Sequence, residues 1–422
     1  MRRAVTVVSP KTSLRVFMTS HLAKNLLWSG EEAFAFYVLV VVLRLNPVLG
    51  GGMFLAGSAW NAALDFAWGI LLARRPQIGR WLPAIAVMAV PVACVSFALL
   101  PLVDTAGAAM ALILAFRTSF ALFDVPHNAL SMPLAERHGH LRLMRLRSIA
   151  AAAGALVVAG LTLPLMLLAT PGLPLILFVG LALIALVGLL PVPWMLARLW
   201  QDVPERPVSP SLSDMARVAL CVLPFCLAQM VGAGALGAVG KGLLHLKIRT
   251  QWVLAAAPLA IGLARLAVVP AWEAIARRWG IAQGLSIAYF CIGAVILLLP
   301  VAVGVGPVGA LLVFAIFGAL VGGIALLAWT GFSQLVAHEP AIRGAGDSSL
   351  AYGLFTATTK IGLGVSACLA GNWLESQSTR MVPDGTALWP LALGTAALCV
   401  VCSVFAGRPV RKVAGPSAAA LS

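Results

Sequence analysis

Ionisable side chains stand inside long apolar runs of this sequence, where acid–base or ion-binding chemistry would be shielded from water. Lys24, Glu31 and Glu32 fall in HLAKNLLWSGEEAF, and with Trp28 they recur at i, i+4, i+7 and i+8, a spacing that shares one helix face. Asn61 and Asp65 stand four apart in WNAALD, while Arg117 and Asp124 stand seven apart in FRTSFALFDVPHN with Asn128 one turn on. Arg147, Arg265 and Lys360 complete the set. A charge facing lipid costs upward of about 3 kcal/mol, so such groups face one another or a hydrated interior. Gathered there, they can bind a proton, a cation or a polar solute.

Helices must carry them. Of the 422 residues 61% are apolar and 10% are charged, which excludes a soluble domain. Apolar runs of about 20 residues or more recur along the chain, each long enough to cross a bilayer. A barrel would instead read as short alternating strands, so the expected fold is an all-α membrane protein. Polar breaks divide the first half into six spans: Leu14–Leu45, Gly52–Ala73, Trp81–Leu102, Ala106–Leu134, Leu146–Ala169 and Leu173–Trp200. The second half gives six more: Arg217–Gly240, Trp252–Ala276, Ala282–Val305, Val308–Val336, Ser348–Leu374 and Leu388–Ala406. Between them QDVPERPVSPSLSDMA, Gln201–Ala216, reads as a polar linker, with Ser211 and Asp214 placed to cap the seventh helix. The expected domains are a six-helix bundle at 1–200, a cytoplasmic linker at 201–216 and a second bundle at 217–422 ending in a short cytoplasmic tail.

The net charge of +15 lies mainly in short connections, which the positive-inside rule explains without nucleic acid. Arg2, Arg3, Lys11, Arg74, Arg75, Arg80, Arg137, Arg142 and Arg145 fall on one side, with Arg277, Arg278, Arg343, Arg408, Arg411 and Lys412. Arg44, Arg380 and the Lys241, Lys247, Arg249 cluster fall on the other, the last against the bias. Both termini are therefore expected in the cytoplasm, with the chain multi-pass in a bacterial inner membrane. An echo supports two related halves: LLARRPQIGRW after the second span and AIARRWGIAQG after the eighth. The seven cysteines, Cys399 and Cys402 included, lie in spans and read as small hydrophobes.

Among chemistries, the chain carries no His-Glu-x-x-His, no phosphate-binding loop ending Gly-Lys-Ser/Thr and no Gly-x-Ser-x-Gly. That excludes the recognisable hydrolases and an ATP-driven pump, and one asymmetric chain supplies no repeated channel filter. His127 beside Pro126 reads as a packing or hinge residue, and His138 and His140 as solvated loop residues. Arg147 either snorkels to the surface or faces the interior. Arg74, Arg75 and Arg80 are either a gate at the cytoplasmic side or a topology signal alone.

FDVPHNALSMPLAERHGHLRLMRLRSIAAAAG, Phe123–Gly154, resembles the helix IV–loop–helix V signature of the glycoside–pentoside–hexuronide:cation symporters, the melibiose-permease-like branch of the major facilitator superfamily. HLAKNLLW, GSAWNAALDFAWG and SSLAYGLFTATTKIGLG resemble its helices I, II and XI. The resemblance implies twelve helices in two bundles that rock about a central site, with sugars or glycosides imported alongside Na⁺, Li⁺ or H⁺. By the same resemblance Asp124 and Arg147 contact solute with Lys24 beside them, and Asp65 and Lys360 form the cation site. Departures are Asn61 for the first helix II carboxylate, Asn25 for an aspartate, Phe66 for a proline, and LVAHEPAI after helix X. One lost carboxylate makes H⁺ the favoured coupling ion over Na⁺.

The resulting expectation is alternating access by a monomeric secondary transporter, with a small-molecule solute and the lipid bilayer as partners and no cofactor beyond the coupling ion. Glu32, Asp65, Asp124, Arg117, Arg265 and Lys360 would line the cavity, Asn128 and Arg147 would hold solute beside Lys24, and Asn61 would assist Asp65. The cations Arg117 and Arg265 favour an anionic or zwitterionic solute. Export of a lipid or secondary metabolite, and a non-transporting assembly or sensing factor of the same fold, stay open as alternatives.

Overall fold

Backbone groups inside hydrocarbon must be bonded within their own segment, and the apolar runs duly become helices. The computed structural model describes residues 10–168, 173–200, 211–243, 251–339, 342, 345–378 and 389–405. The helices are α1 (Pro10–Tyr37), α2 (Pro47–Arg74), α3 (Leu82–Leu99), α4 (Ala106–Ala129), α5 (Ser131–His138), α6 (His140–Leu168), α7 (Leu173–Leu189) and α8 (Val192–Leu199). They continue as α9 (Leu212–Leu243), α10 (Gln251–Ala267), α11 (Val269–Trp279), α12 (Ile281–Val305), α13 (Pro307–His338), α14 (Ala345–Ser378) and α15 (Trp389–Phe405).

Among the described residues nine helical segments are long and apolar enough to cross a membrane, and α10 with α11 make a tenth, bent by 44°. α2 is 28 residues long, and its buried Asn61 and Asp65 dilute its apolar character. α15 is shorter, at 17 residues. Among the described residues each expected span overlaps a helix, and three of them are divided between two, α4 and α5, α7 and α8, and α10 and α11. The linker's residues 201–210, the N-terminal and C-terminal arginines, Lys247, Arg249, Arg343 and Arg380 lie outside the described residues.

Local signals set the helix ends. Asn46 caps α2 by accepting from the Val48 amide at 2.8 Å, with Pro47 in the first turn. Thr105 caps α4 in the same way. Ser211 accepts from the Asp214 amide at 3.1 Å while the Asp214 carboxylate accepts from the Ser211 amide at 3.1 Å, a reciprocal cap that starts α9 before Arg217. A π-helical turn, Val38–Val42, prolongs α1, and Arg44 then takes a left-handed φ of 53° as the chain turns.

In the first half α1 packs on α6 and α7, and α4 on α2 and α3; in the second α9 packs on α14 and α15, and α13 on α10 and α12. The halves meet along two antiparallel seams, α2 against α14 and α6 against α10. Glycine makes the first seam close: a Cβ on Gly51 would sit 2.8 Å from the Ala367 carbonyl oxygen, and one on Gly353 would sit 2.6 Å from that of Asp65. Outward faces carry exposed apolar side chains such as Met88, Ile176, Val187 and Leu220, as lipid contact requires.

Candidate functional site

Between the halves lies a cavity of about 820 Å³, walled by α1, α4 and α6 on one side and by α9, α10, α13 and α14 on the other. It runs from mid-depth, at His21, Asp124 and Arg147, to the end that carries Tyr37, Val41 and Lys241. That is the end opposite Arg74, Arg75 and Arg80, none of which lines it.

A chain of alternating charges crosses the cavity floor. Lys24 Nζ lies 2.8 Å from Asp124 Oδ1, Lys360 Nζ lies 3.3 Å from Asp124 Oδ2, and Lys360 Nζ lies 2.6 Å from Asp65 Oδ2. Lys360 belongs to α14, whereas both its carboxylates belong to the first half, so one ammonium ties the halves together. Lys24 also donates to Asn128 Oδ1 at 2.7 Å, and Asn128 donates to Asp124 at 3.0 Å. Its third proton faces His127 Nδ1 at 3.2 Å. An ammonium cannot accept, so His127 must carry its hydrogen on Nε2, toward Ser20 at 3.0 Å. His127 is fully buried and stacked on Phe17.

Arg147 does not reach the surface. It is 4% exposed, donates to Asn128 Oδ1 at 3.0 Å and to Ser131 Oγ, and lies 4.4 Å over the Trp329 ring of the opposite half. Arg265 lines the cavity from α10.

Two expected lining residues stand elsewhere. Arg117 is wholly buried behind the wall, donating to both Glu31 oxygens at 2.9 and 3.0 Å and to Ser58 at 2.8 Å. Phe54 and Trp28 cover its guanidinium at 4.7 and 5.6 Å. A seven-residue spacing aligns Arg117 with Asp124 on α4, but α1 and α2 close over the Arg117 end of that face. Asp65 likewise sits behind Lys360, fully buried, and Asn61 donates to the Arg117 carbonyl at 2.6 Å. Asp65 Oδ1 and Asn61 Oδ1, one turn apart, have no hydrogen-bond partner among the described residues. Glu31 turns toward Arg117, while Glu32 lines the cavity between Arg117 at 3.5 Å and Lys241 of the other half at 3.6 Å. Lys241 is thus the last turn of α9 rather than part of an external loop.

At the basic end Arg145 of α6 pairs with Glu273 of α11 at 2.7 Å, and Arg277 completes that carboxylate at 2.8 Å. His140 is not a solvated loop residue: it opens α6, bonds Ser333 of α13 at 2.9 Å and packs its ring 5.9 Å from that of His338. Arg74, Arg75 and Arg80 are exposed, Arg80 lying 5.8 Å over Trp81. Sequence reasoning missed the Arg145–Glu273 tie, whose signal was an acid amid the arginines of the basic end. Trp329 and Lys241 were missed too.

The model of the family described as MFS/sugar transport protein matches residues 16–408. Among solved structures, a bacterial homologue of the human drug peptide transporters PepT1 and PepT2 aligns with a TM-score of 0.66 at 11% identity, covering 98% of this chain and 100% of that one. The human organic anion transporter MFSD10 gives 0.64 at 12%, covering 96% and 100%, and the E. coli fucose:proton symporter FucP gives 0.61 at 13%, covering 96% and 99%. No curated protein matches the chain significantly. The structural likenesses establish the major facilitator fold, and the match over 16–408 places this multi-pass membrane protein in the MFS/sugar transport family, a secondary transporter and not an enzyme.

Proposed function

We propose that the protein moves a small polar solute by alternating access, coupled to protons through the Asp65–Lys360 pair. One observation carries this reading: Lys360 of the second half is shared between Asp65 and Asp124 of the first, while Asp65 Oδ1 is buried with no hydrogen-bond partner among the described residues. A proton has one natural seat there. Its binding neutralises Asp65, weakens the 2.6 Å bond and frees Lys360 to serve Asp124 alone. The tie between the halves then loosens, which biases the rocking equilibrium. A sodium ion would need several oxygens beside an ammonium that already occupies one side of the carboxylate.

The basic end faces the cytoplasm of a bacterial inner membrane in this reading, so the structure is open outward and latched inward. The fucose:proton symporter of the same fold accords with proton coupling. Asp124, Asn128, Arg147 and Lys24 supply the polar floor. Proteoliposomes loaded at alkaline pH and offered labelled sugars, uronates and organic acids test the coupling. Accumulation should follow an imposed pH gradient and collapse with a protonophore; accumulation that needs a sodium gradient and ignores pH would overturn it.

A further inference from the structure

The charges around the cavity do not balance. Lys24, Arg117, Arg147, Lys241, Arg265 and Lys360 stand against Glu31, Glu32, Asp65 and Asp124. Each of these carboxylates is engaged by Lys24, Arg117, Lys241 or Lys360. Arg147 bonds the neutral groups of Asn128 and Ser131, and Arg265 makes no ion pair or hydrogen bond among the described residues. Six cations against four carboxylates leave an excess of two positive charges among the described residues, and Arg147 and Arg265 both line the cavity.

Their surroundings differ. Arg265 packs its backbone against Gly322 of α13, where an added Cβ would lie 2.8 Å from the Arg265 carbonyl oxygen. Trp329, under Arg147, is seven residues further along the same helix, about 10 Å deeper. Between Arg265 and the cavity mouth the wall is apolar, built from Val158, Ile261, Phe314, Phe317 and Val321. A neutral sugar seated there would strand hydroxyls on hydrocarbon and leave both guanidinium groups uncompensated once the halves closed over it.

We propose that the solute is an amphipathic organic anion: an oxyacid group on Arg265, with Arg147 deeper in the cavity adding to the positive potential, and an apolar body against the α6, α10 and α13 wall. The planar fork of Arg265 matches the two oxygens of a carboxylate or the oxygens of a phosphate. The inference rests on the cavity being the transport site, yet it makes no use of the coupling ion.

Equilibrium binding to the full-length protein in nanodiscs, read by thermal stabilisation, tests it without any gradient. The probes are phenylbutyrate, phenylbutanol as its neutral twin, acetate as an anion without a body, and melibiose as a neutral sugar. Phenylbutyrate should bind at least roughly tenfold more tightly than each of the others. Arg265→Gln should bring acid and alcohol to equal affinity, and Arg265→Lys should keep part of the difference, showing that the site still folds. With no gradient imposed the outcome does not depend on the coupling reading, and Arg80→Gln, exposed and outside the cavity, should leave the preference intact. Palmitate in place of phenylbutyrate, if it binds as well or better, identifies a lipid source for the same chemistry. Melibiose binding more tightly than phenylbutyrate, or an acid-to-alcohol ratio unchanged in Arg265→Gln, would overturn the proposal.

Discussion

Two buried ion-pair clusters hold carboxylates of the first half, and they differ in which half owns the cation. Arg117, Glu31 and Ser58 all belong to the first half, with the Trp28 and Phe54 rings over the guanidinium, and Glu32 at the cavity edge lies 3.5 Å from Arg117. Lys360 belongs to the second half, while Asp65 and Asp124 belong to the first. In the proposed cycle a pair within one half would travel with it as the halves rock, a rivet. A pair across the halves would have to stretch or break, a latch. The same chemistry would then take two roles by connectivity alone.

The largest expected effect is on the rivet. Arg117→Gln leaves Glu31 buried without its partner, and stability should fall by about 3–5 kcal/mol. Thermal unfolding in nanodiscs measures this, and Glu31→Gln added to Arg117→Gln should restore much of the loss. A stable single variant with weakened solute binding would instead make Arg117 a site residue. Next comes the latch: Lys360→Gln should cut accumulation by at least about tenfold, equivalent to about 1.4 kcal/mol of coupling, with the glycine-lined α2–α14 seam holding the fold.

A smaller effect is expected at the basic end. The Arg145 side chain is 34% exposed and that of Arg277 is 67% exposed, so solvent screens the Glu273 pairs. Glu273→Gln should shift the inward–outward balance by about 1 kcal/mol or less. Labelling of a cysteine placed at Leu363, from the basic side, reads that shift as a few-fold faster reaction. Smallest of all should be Arg74, Arg75 and Arg80 changed together to Gln, with uptake altered by less than about twofold, as for solvent-screened charges. An effect larger than that of Glu273→Gln would move the gate to those arginines.

The helices were legible because lipid demands long apolar runs, and the polar breaks at Asn46 and Thr105 coincide with caps. Less visible were breaks inside runs: α4 passes into α5 at Leu130, α7 into α8 at Pro191 and α10 into α11 at Val268, all within apolar sequence. For the site, spacing showed which charges share a helix face but not which neighbour covers that face. Lys24 and Glu32 therefore reached the cavity as their periodicity implied, whereas Glu31, one residue before Glu32, turned to Arg117. Partners far apart in sequence, such as Arg145 with Glu273 and Glu32 with Lys241, depend on how the halves meet, and no local pattern encodes that.

Asp65→Asn puts the distinction between rivet and latch to its most direct test. The amide keeps the size of the side chain and an oxygen for Lys360, but it cannot take up the proton. In proteoliposomes loaded with an identified solute, the account predicts normal exchange of internal for external solute and no accumulation under a pH gradient. Accumulation equal to that of the unaltered protein would contradict it.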